Sequence, residues 1–588
     1  MKRNTWGLRA AAVLGALTLG AAACGGGGGG GGVEGGTLKV VGSSDVDHLD
    51  TASGYTLVSV LLTRQYARTL FNVKGAADDF TAATRIRADV ATELPTTANG
   101  GISADGRTYT IKLRTGVRWN TPVPREVTAA DFIRGIKRLC NPAQPSGGIG
   151  YYTATIEGMD TFCAGFGKVD AKDAAAVAGY QNGHQISGLR ARDDKTLVVR
   201  LKRPASDFTN IMGMQFSAAA PVEYDAYLPD SPAYRTHTIS DGPYQITAYT
   251  PNKSYVLARN PTWRQDTDPL RAQNPGRIQV TMGQDSPDVV QQQMEVGTAD
   301  LSWDQPVPTS RIPGLRSNPN FRIQDGSTNN PYLDFNTLSP NNGGALGKVA
   351  VRRAIQYAID KAALVQIYGG PRVSTVLNQV IPPGSVGHQR FNLYPTPADS
   401  GDPARCRQLL SAAGYPRGLT LQFPYRTNSN HPKVAQSVQA NLRACGITAT
   451  LTPDTNGNFY GKTLVNPADA KQGKWDIAAP GWIPDWYGNN GRTNIVPLFD
   501  GRTYGPNSTD YGGYNNPAVN ALIDQALEAK SLGEAARIWA RADRLIMQDA
   551  AIVPLQNQRY PIFHSSRVKN ALYLPTSQAY DLNQVELS

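Results

Sequence analysis

Gly106-Arg107-Thr108-Tyr109-Thr110-Ile111-Lys112-Leu113-Arg114-Thr115-Gly116-Val117-Arg118-Trp119, followed by Val127-Thr128-Ala129-Ala130-Asp131-Phe132, is the stretch whose reading decides the fold. In it Tyr109, Ile111 and Leu113 alternate with Thr110 and Lys112, the two-residue period of a half-exposed strand. Leu197-Val198-Val199-Arg200-Leu201 alternates in the same way. Between these strands, Thr128-Ala129-Ala130-Asp131 opens a helix that carries Phe132, Ile133, Ile136 and Leu139. Outward from there, Thr37 to Val41 predicts a β-branched opening strand. Val351, Ile355, Ala358 and Ile359 predict an amphipathic helix. Val519, Leu522, Ile523, Ala526 and Leu527 predict another behind an Asn516-Pro517 cap, and Ala535, Ile538, Trp539, Ala542, Leu545 and Ile546 a third. Strands and helices alternating along the whole chain imply α/β lobes. No fixed repeat period is present.

At 588 residues the chain has ample length for several domains or one multi-lobed body. Charged residues make up 18%, with 59 Gly and 40 Pro, a loop-rich but globular composition. The formal net charge of +11 is dispersed, with no Lys/Arg run, which suits an anionic envelope and argues against nucleic acid.

The first 23 residues read as a signal peptide. Lys2, Arg3 and Arg9 form a positive start, and an apolar Ala/Leu run from Ala10 to Gly20 follows. That run is too short to span about 30 Å of hydrocarbon comfortably. It closes on Ala21-Ala22-Ala23 before Cys24, which resembles the bacterial lipobox, although the usual Leu three residues before the cysteine is Ala21 here. The resemblance implies a lipidated Cys24, whose two acyl chains give stable anchoring. Residues 24–36 then form the lipidated cysteine and a tether, glycine throughout Gly25 to Gly32 and again at Gly35 and Gly36. Glycine has no side chain to bury and the highest backbone entropy, so this segment suits a domain held just off a membrane.

Four cysteines remain, an even number for an oxidising compartment, and three pairings are possible. The expected pairs are Cys140–Cys163 and Cys406–Cys445. The second has a physical ground. A helix starting at Asp402-Pro403 puts Cys406 on the face of Leu409 and Leu410, and one carrying Val434, Val438 and Leu442 puts Cys445 at its apolar end before Gly446.

Enzyme motifs are missing. There is no H-E-x-x-H or C-x-x-C, and no serine has glycine two residues away on both sides. Gly461-Lys462-Thr463 lacks the first glycine of a phosphate loop, since Asn456 stands there. His48, His184, His237, His388, His431 and His564 are scattered without ligand spacing. The expectation is a binding protein with no catalytic residues, metal or cofactor.

Several segments together resemble the family 5 extracellular solute-binding proteins, the oligopeptide-, dipeptide- and nickel-binding group of ABC importers. The opening stretch is the most specific of them. Asp241-Gly242-Pro243-Tyr244, Arg259-Asn260-Pro261, Gly297 to Asp300, Tyr332-Leu333-Asp334-Phe335-Asn336, Val351-Arg352-Arg353-Ala354-Ile355, Ile359-Asp360, Gly481-Trp482-Ile483-Pro484-Asp485-Trp486 and Gly513-Tyr514-Asn515-Asn516-Pro517 follow in family order. The resemblance covers about residues 37 to 570. It implies a two-lobed periplasmic-binding-protein clamshell (type II, cluster C) with two strands crossing the hinge. Lobe I is expected at 33–75, 235–305 and 558–588, an extra subdomain of lobe I at 76–234, and lobe II at 306–557.

In the peptide-binding members the G-W-x-x-D loop lines the cleft and its aspartate receives the peptide's α-ammonium. This carries over to Gly481, Trp482 and Asp485, with Trp486 and Tyr487 as aromatic walls able to make cation–π contact. The family usually continues with a tyrosine and a proline, whereas Trp486-Tyr487-Gly488-Asn489-Asn490 stands here, which loosens the ligand class. Asp47, Tyr55, Tyr332 and Asn336 match regions that reach the cleft. The implied partners are a short peptide, ABC permease and ATPase subunits and, through the lipid anchor, the outer face of the cytoplasmic membrane, with the protein a monomer. The alternative is a binder of an oligosaccharide, metal chelate or cell-wall glycolipid, or a non-transport envelope or signalling protein on the same fold.

Overall fold

The computed structural model describes residues 35–506, 508–529 and 531–588. The expected signal peptide, Cys24 and the glycine run Gly25 to Gly32 lie outside the described residues. Gly35 and Gly36 lead directly into the first strand, Thr37–Val41.

That strand lies between Arg277–Thr281 and Leu301–Ser302, parallel to both, and Ser254–Arg259 and Tyr244–Thr250 extend the sheet antiparallel. Its inward residues Leu38 and Val40 are fully buried. A C-terminal hairpin of Tyr573–Leu574 with Ala579–Tyr580 packs onto the same core.

The stretch that opened the sequence reading builds a separate core. Thr108–Lys112 pairs antiparallel with Thr196–Arg200, setting Tyr109 opposite Val199 and Ile111 opposite Leu197, all buried. Helix Ala129–Arg138 starts at a capping box in which Thr128 and Asp131 satisfy each other's backbone N–H groups. Its Phe132 and Ile136 enter this core. Cys140 and Cys163 are bridged here, with Cα atoms 4.9 Å apart.

A third body surrounds the strands Tyr332–Phe335, Ile477–Ala478 and Ile552–Pro554 and the parallel pair Leu419–Arg426 with Ile447–Asp454. The expected helices form at Val349–Ala358, Pro403–Ala412, His431–Ala444, Pro517–Leu527 and Leu532–Gln548, with Asp402 and Asn516 as N-caps. Cys406 and Cys445 are bridged inside this body at a Cα separation of 5.7 Å. Chain-entropy arguments give each bridge roughly 3–4 kcal/mol. Phe321–Gln324 and Tyr560–Phe563 pair antiparallel where the chain passes into and out of this body.

Candidate functional site

The Gly481–Tyr487 segment leaves the buried strand Ile477–Ala478 and is pinned at both ends. Trp482 makes an antiparallel bridge with Asn329, its N–H donating to the Asn329 carbonyl at 2.8 Å and its carbonyl accepting from the Asn329 N–H at 3.1 Å. The Gly481 N–H donates to the Tyr460 hydroxyl at 3.0 Å. A Cβ at 481 would stand 2.0 Å from Asn330 Oδ1, so any larger residue there displaces the Asn330 side chain. Downstream, helix Gly491–Phe499 turns Thr493 back onto the loop. The Thr493 hydroxyl accepts from the Asp485 N–H at 2.9 Å and donates to Asp485 Oδ2 at 3.0 Å.

Asp485 faces the core built by the opening stretch. The Tyr151 hydroxyl donates to Asp485 Oδ2 at 2.6 Å. Burial pushes the Asp485 carboxyl above the ordinary aspartate range, and hydrogen bonds from Tyr151, Tyr55 and Thr493 oppose that shift in part. Among the described residues no cation pairs with it. Desolvated, oriented by neutral hydroxyls and lacking a counter-charge, this carboxylate is suited to an incoming cation.

The loop is also where the lobe around Tyr332–Phe335 engages the body around Thr108–Lys112. Trp486, only 4% exposed, belongs to that second body's hydrophobic core, its ring edge-on to Tyr151 at 5.0 Å. Asn489 donates to Ser206 Oγ at 2.8 Å. Arg492, 3% exposed, reaches Thr155 Oγ1 at 3.1 Å and the Tyr151 carbonyl at 3.3 Å, and pairs with Asp207 at 3.5 Å.

The expected site residues divide. Tyr55 joins Asp485, its ring edge-on to Phe216 at 5.1 Å. Asp47 organises this corner instead of lining it. Its carboxylate accepts from the Tyr55 and Thr56 N–H groups at 2.8 and 3.3 Å and from the Ser59 hydroxyl, fixing the start of helix Leu57–Tyr66. Tyr487 is buried edge-on to Phe80, its hydroxyl without a partner. Trp482 is buried in its own lobe's core, with Nε1–H donating to the Thr493 carbonyl at 2.7 Å. Tyr332 is buried in the same core, with its N–H on the Pro480 carbonyl at 3.0 Å. Asn336 is not brought to the group. It is fully buried, and its amide nitrogen is consumed by the Ala470 and Trp475 carbonyls, both at 2.8 Å.

Sequence reasoning missed Tyr151, Thr493 and Arg492, which share no motif with Asp485. It also missed Arg426, at the end of strand Leu419–Arg426. This buried guanidinium lies 5.2 Å from the Tyr460 ring and donates to the Ala479 carbonyl at 3.0 Å, with Nε unpartnered.

A small cavity of about 70 Å³ opens beside Asp485. Its walls come from helix Leu57–Tyr66, Asn210 to Gln215, Asp485 to Tyr487 and Leu574 to Ser577.

Two α/β lobes meeting at a cavity beside a half-buried carboxylate, with no cation partner among the described residues, define a solute-binding clamshell. The profile of the bacterial extracellular solute-binding proteins, family 5 (middle region), matches residues 86–497, and the chain belongs to that family. The glutathione-binding protein GsiB of Escherichia coli K12 is 24% identical over 494 residues, spanning 81% of this chain and 82% of its own. Among solved structures, clavulanic acid biosynthesis oligopeptide binding protein 2 superposes with a TM-score of 0.79 at 26% identity, covering 94% of this chain and 96% of that one. The Escherichia coli murein tripeptide binding protein MppA gives 0.74 at 20% identity, covering 95% and 99%. DppA from Helicobacter pylori, in complex with the peptide STSA, gives 0.73 at 20%, covering 94% and 98%.

Proposed function

We propose that this chain is the extracellular substrate-binding component of an ABC importer, that it captures short peptides between its lobes, and that Asp485 receives the peptide's α-ammonium. The observation that carries the reading is the Asp485 carboxylate itself, half-buried at the cavity wall, held by three hydroxyls and matched by no cation among the described residues. Relatives that bind glutathione, a murein tripeptide and the peptide STSA support the ligand class. The binding unit is a monomer that hands its ligand to a permease.

The raised carboxyl gives this reading a pH signature. An ammonium pairs with the ionised form only, so ligand binding must release a proton whenever Asp485 is protonated. Affinity is therefore full above its raised pKa and falls by about tenfold per pH unit below it. Calorimetry with Ala-Ala-Ala between pH 4 and 7 should show this loss beginning at a higher pH than an ordinary aspartate produces. A flat affinity over that range argues against Asp485 as the anchor.

We further propose that Cys24 carries a lipid anchor and that the glycine run after it is the tether. Cys24→Ser should release the protein to the medium or leave it uncleaved. Membrane fractionation showing unchanged amount and mobility counts against the anchor.

A further inference from the structure

Helix Leu532–Gln548 has two unlike faces. Inward, Ala535, Trp539, Ala542 and Ile546 join the core that also holds Trp482. Outward, Arg537, Arg541, Arg544 and Gln548 are all exposed, at alternating four- and three-residue spacings that put them in one row. From Arg537 to Arg544 the row is about 10 Å long by helical rise. None of its three arginines pairs with a carboxylate among the described residues. The helix carries only two acidic residues. Glu534 lies in its first turn, and Asp543 points inward, accepting from the Val380 and Ile381 N–H groups at 2.8 and 3.1 Å. The Arg544 guanidinium stands over the Phe391 ring at 5.4 Å. Exposed Arg353 extends the basic surface past the helix end, where its Nη2 and Nε donate to the Gln548 carbonyl at 2.6 and 2.9 Å.

We propose that this outward face is a membrane-contact face that binds the headgroups of anionic phospholipids. Charge complementarity carries the choice of occupant. Guanidinium groups bind phosphate through paired N–H donors, and a row of one sign attracts a surface of the other. A stable protein interface has an apolar centre, and the outward row has no apolar side chain to supply one. A protein partner also needs acidic groups fixed in register with the arginines. Lipids diffuse sideways and bring phosphates to wherever the arginines stand. The contact leaves the cleft open, because the Gly481–Tyr487 loop lies on the other side of this helix, where Trp482 and Trp539 share one core. With the anchor proposed for Cys24, a contact too weak to hold a free protein becomes an intramolecular one and is well populated. The second lobe then rests on the bilayer between rounds of ligand delivery.

The test is vesicle flotation. The chain expressed from Gly25 onward contains every described element and carries no lipid, so its binding reads the protein surface alone. At low salt it should bind vesicles of equal parts phosphatidylglycerol and phosphatidylcholine far more tightly than vesicles of phosphatidylcholine alone, and lose most of that preference in roughly 0.5 M salt. Each arginine held near an anionic surface contributes about fivefold, so Arg537→Gln, Arg541→Gln and Arg544→Gln together should weaken binding to the mixed vesicles by roughly 100-fold. A control removes the same charge from another exposed surface, by Lys112→Gln, Arg190→Gln and Arg192→Gln on the sheet of the facing body. It should leave vesicle binding nearly unchanged. Peptide affinity should be equal in all three proteins, which also shows that each is folded. Equal losses from the two triple variants mean that net charge and not this face attracts the membrane, and overturn the proposal. Binding no stronger to the mixed vesicles than to phosphatidylcholine alone also overturns it, and points to an acidic protein surface as the occupant. Neither result depends on the Cys24 anchor or on the ligand.

Discussion

Asp485→Asn is expected to weaken peptide binding by at least roughly 30-fold and up to several thousand-fold. Once the lobes close, the ligand's ammonium is buried against this carboxylate. Truncating one member of a buried charged pair costs on the order of 2–5 kcal/mol, largely because the other charge is left unpaired. The Tm of the empty protein should hardly move, since Asp485 has no cation partner among the described residues to lose and asparagine can still accept from Tyr151 and Thr493. N-acetylating the peptide should weaken wild-type binding comparably. The two changes should be non-additive, because each removes the same interaction. Calorimetry on the four combinations reads all of this. Equal binding of free and acetylated peptide to the wild type reduces Asp485 to a loop residue.

The second large effect is expected at Arg492, which packs on Tyr151 and precedes Thr493, the two residues that hold Asp485. Arg492 joins its lobe to the facing body through Asp207, Thr155 and the Tyr151 carbonyl, and it packs against the Tyr151 ring at 5.4 Å. With the lobes apart, both Arg492 and Asp207 can be solvated. With them closed, Arg492→Met leaves Asp207 buried without its cation, and burial already raises the Asp207 carboxyl. The closed state then becomes less favourable by roughly 2–3 kcal/mol. Because the ligand binds the closed state, affinity should fall by about 30- to 150-fold. The loss is shared by every peptide, unlike a pocket substitution, and small-angle scattering should show the liganded variant more open. Unchanged affinity together with unchanged scattering contradicts a closing role for Arg492.

Much of the fold was legible because its signals are local. Tyr109, Ile111 and Leu113 alternate because one face of their strand is buried, and Thr128 with Asp131 forms a cap within four residues. Asn516-Pro517 and Asp402-Pro403 mark helix starts for the same reason. The site was legible only in part. Asp485 sits in a motif whose glycine is explained by Asn330, but the residues that tune it come from 8 positions away at Thr493 and 334 at Tyr151. No spacing rule connects Tyr151 to Asp485. They meet because two separately folded bodies close on each other. Asn336 shows the opposite error. It lies in a segment shared with cleft-forming relatives, yet a buried amide must satisfy its own hydrogen bonds, and the Ala470 and Trp475 carbonyls take them. Trp482 and Trp486 look alike in sequence, but one fills its own lobe and the other enters the facing body's core.

The central claim, that the cleft holds a short peptide by its free amino end, is tested most directly by what the protein carries. The mature protein purified without denaturation should be analysed by native mass spectrometry, then denatured and its released ligands sequenced by tandem mass spectrometry. The account predicts short α-linked peptides with unmodified N-termini, depleted from Asp485→Asn prepared in parallel. Recovery of a glycan, a metal chelate or amino-blocked species, in equal amounts from both proteins, would contradict it.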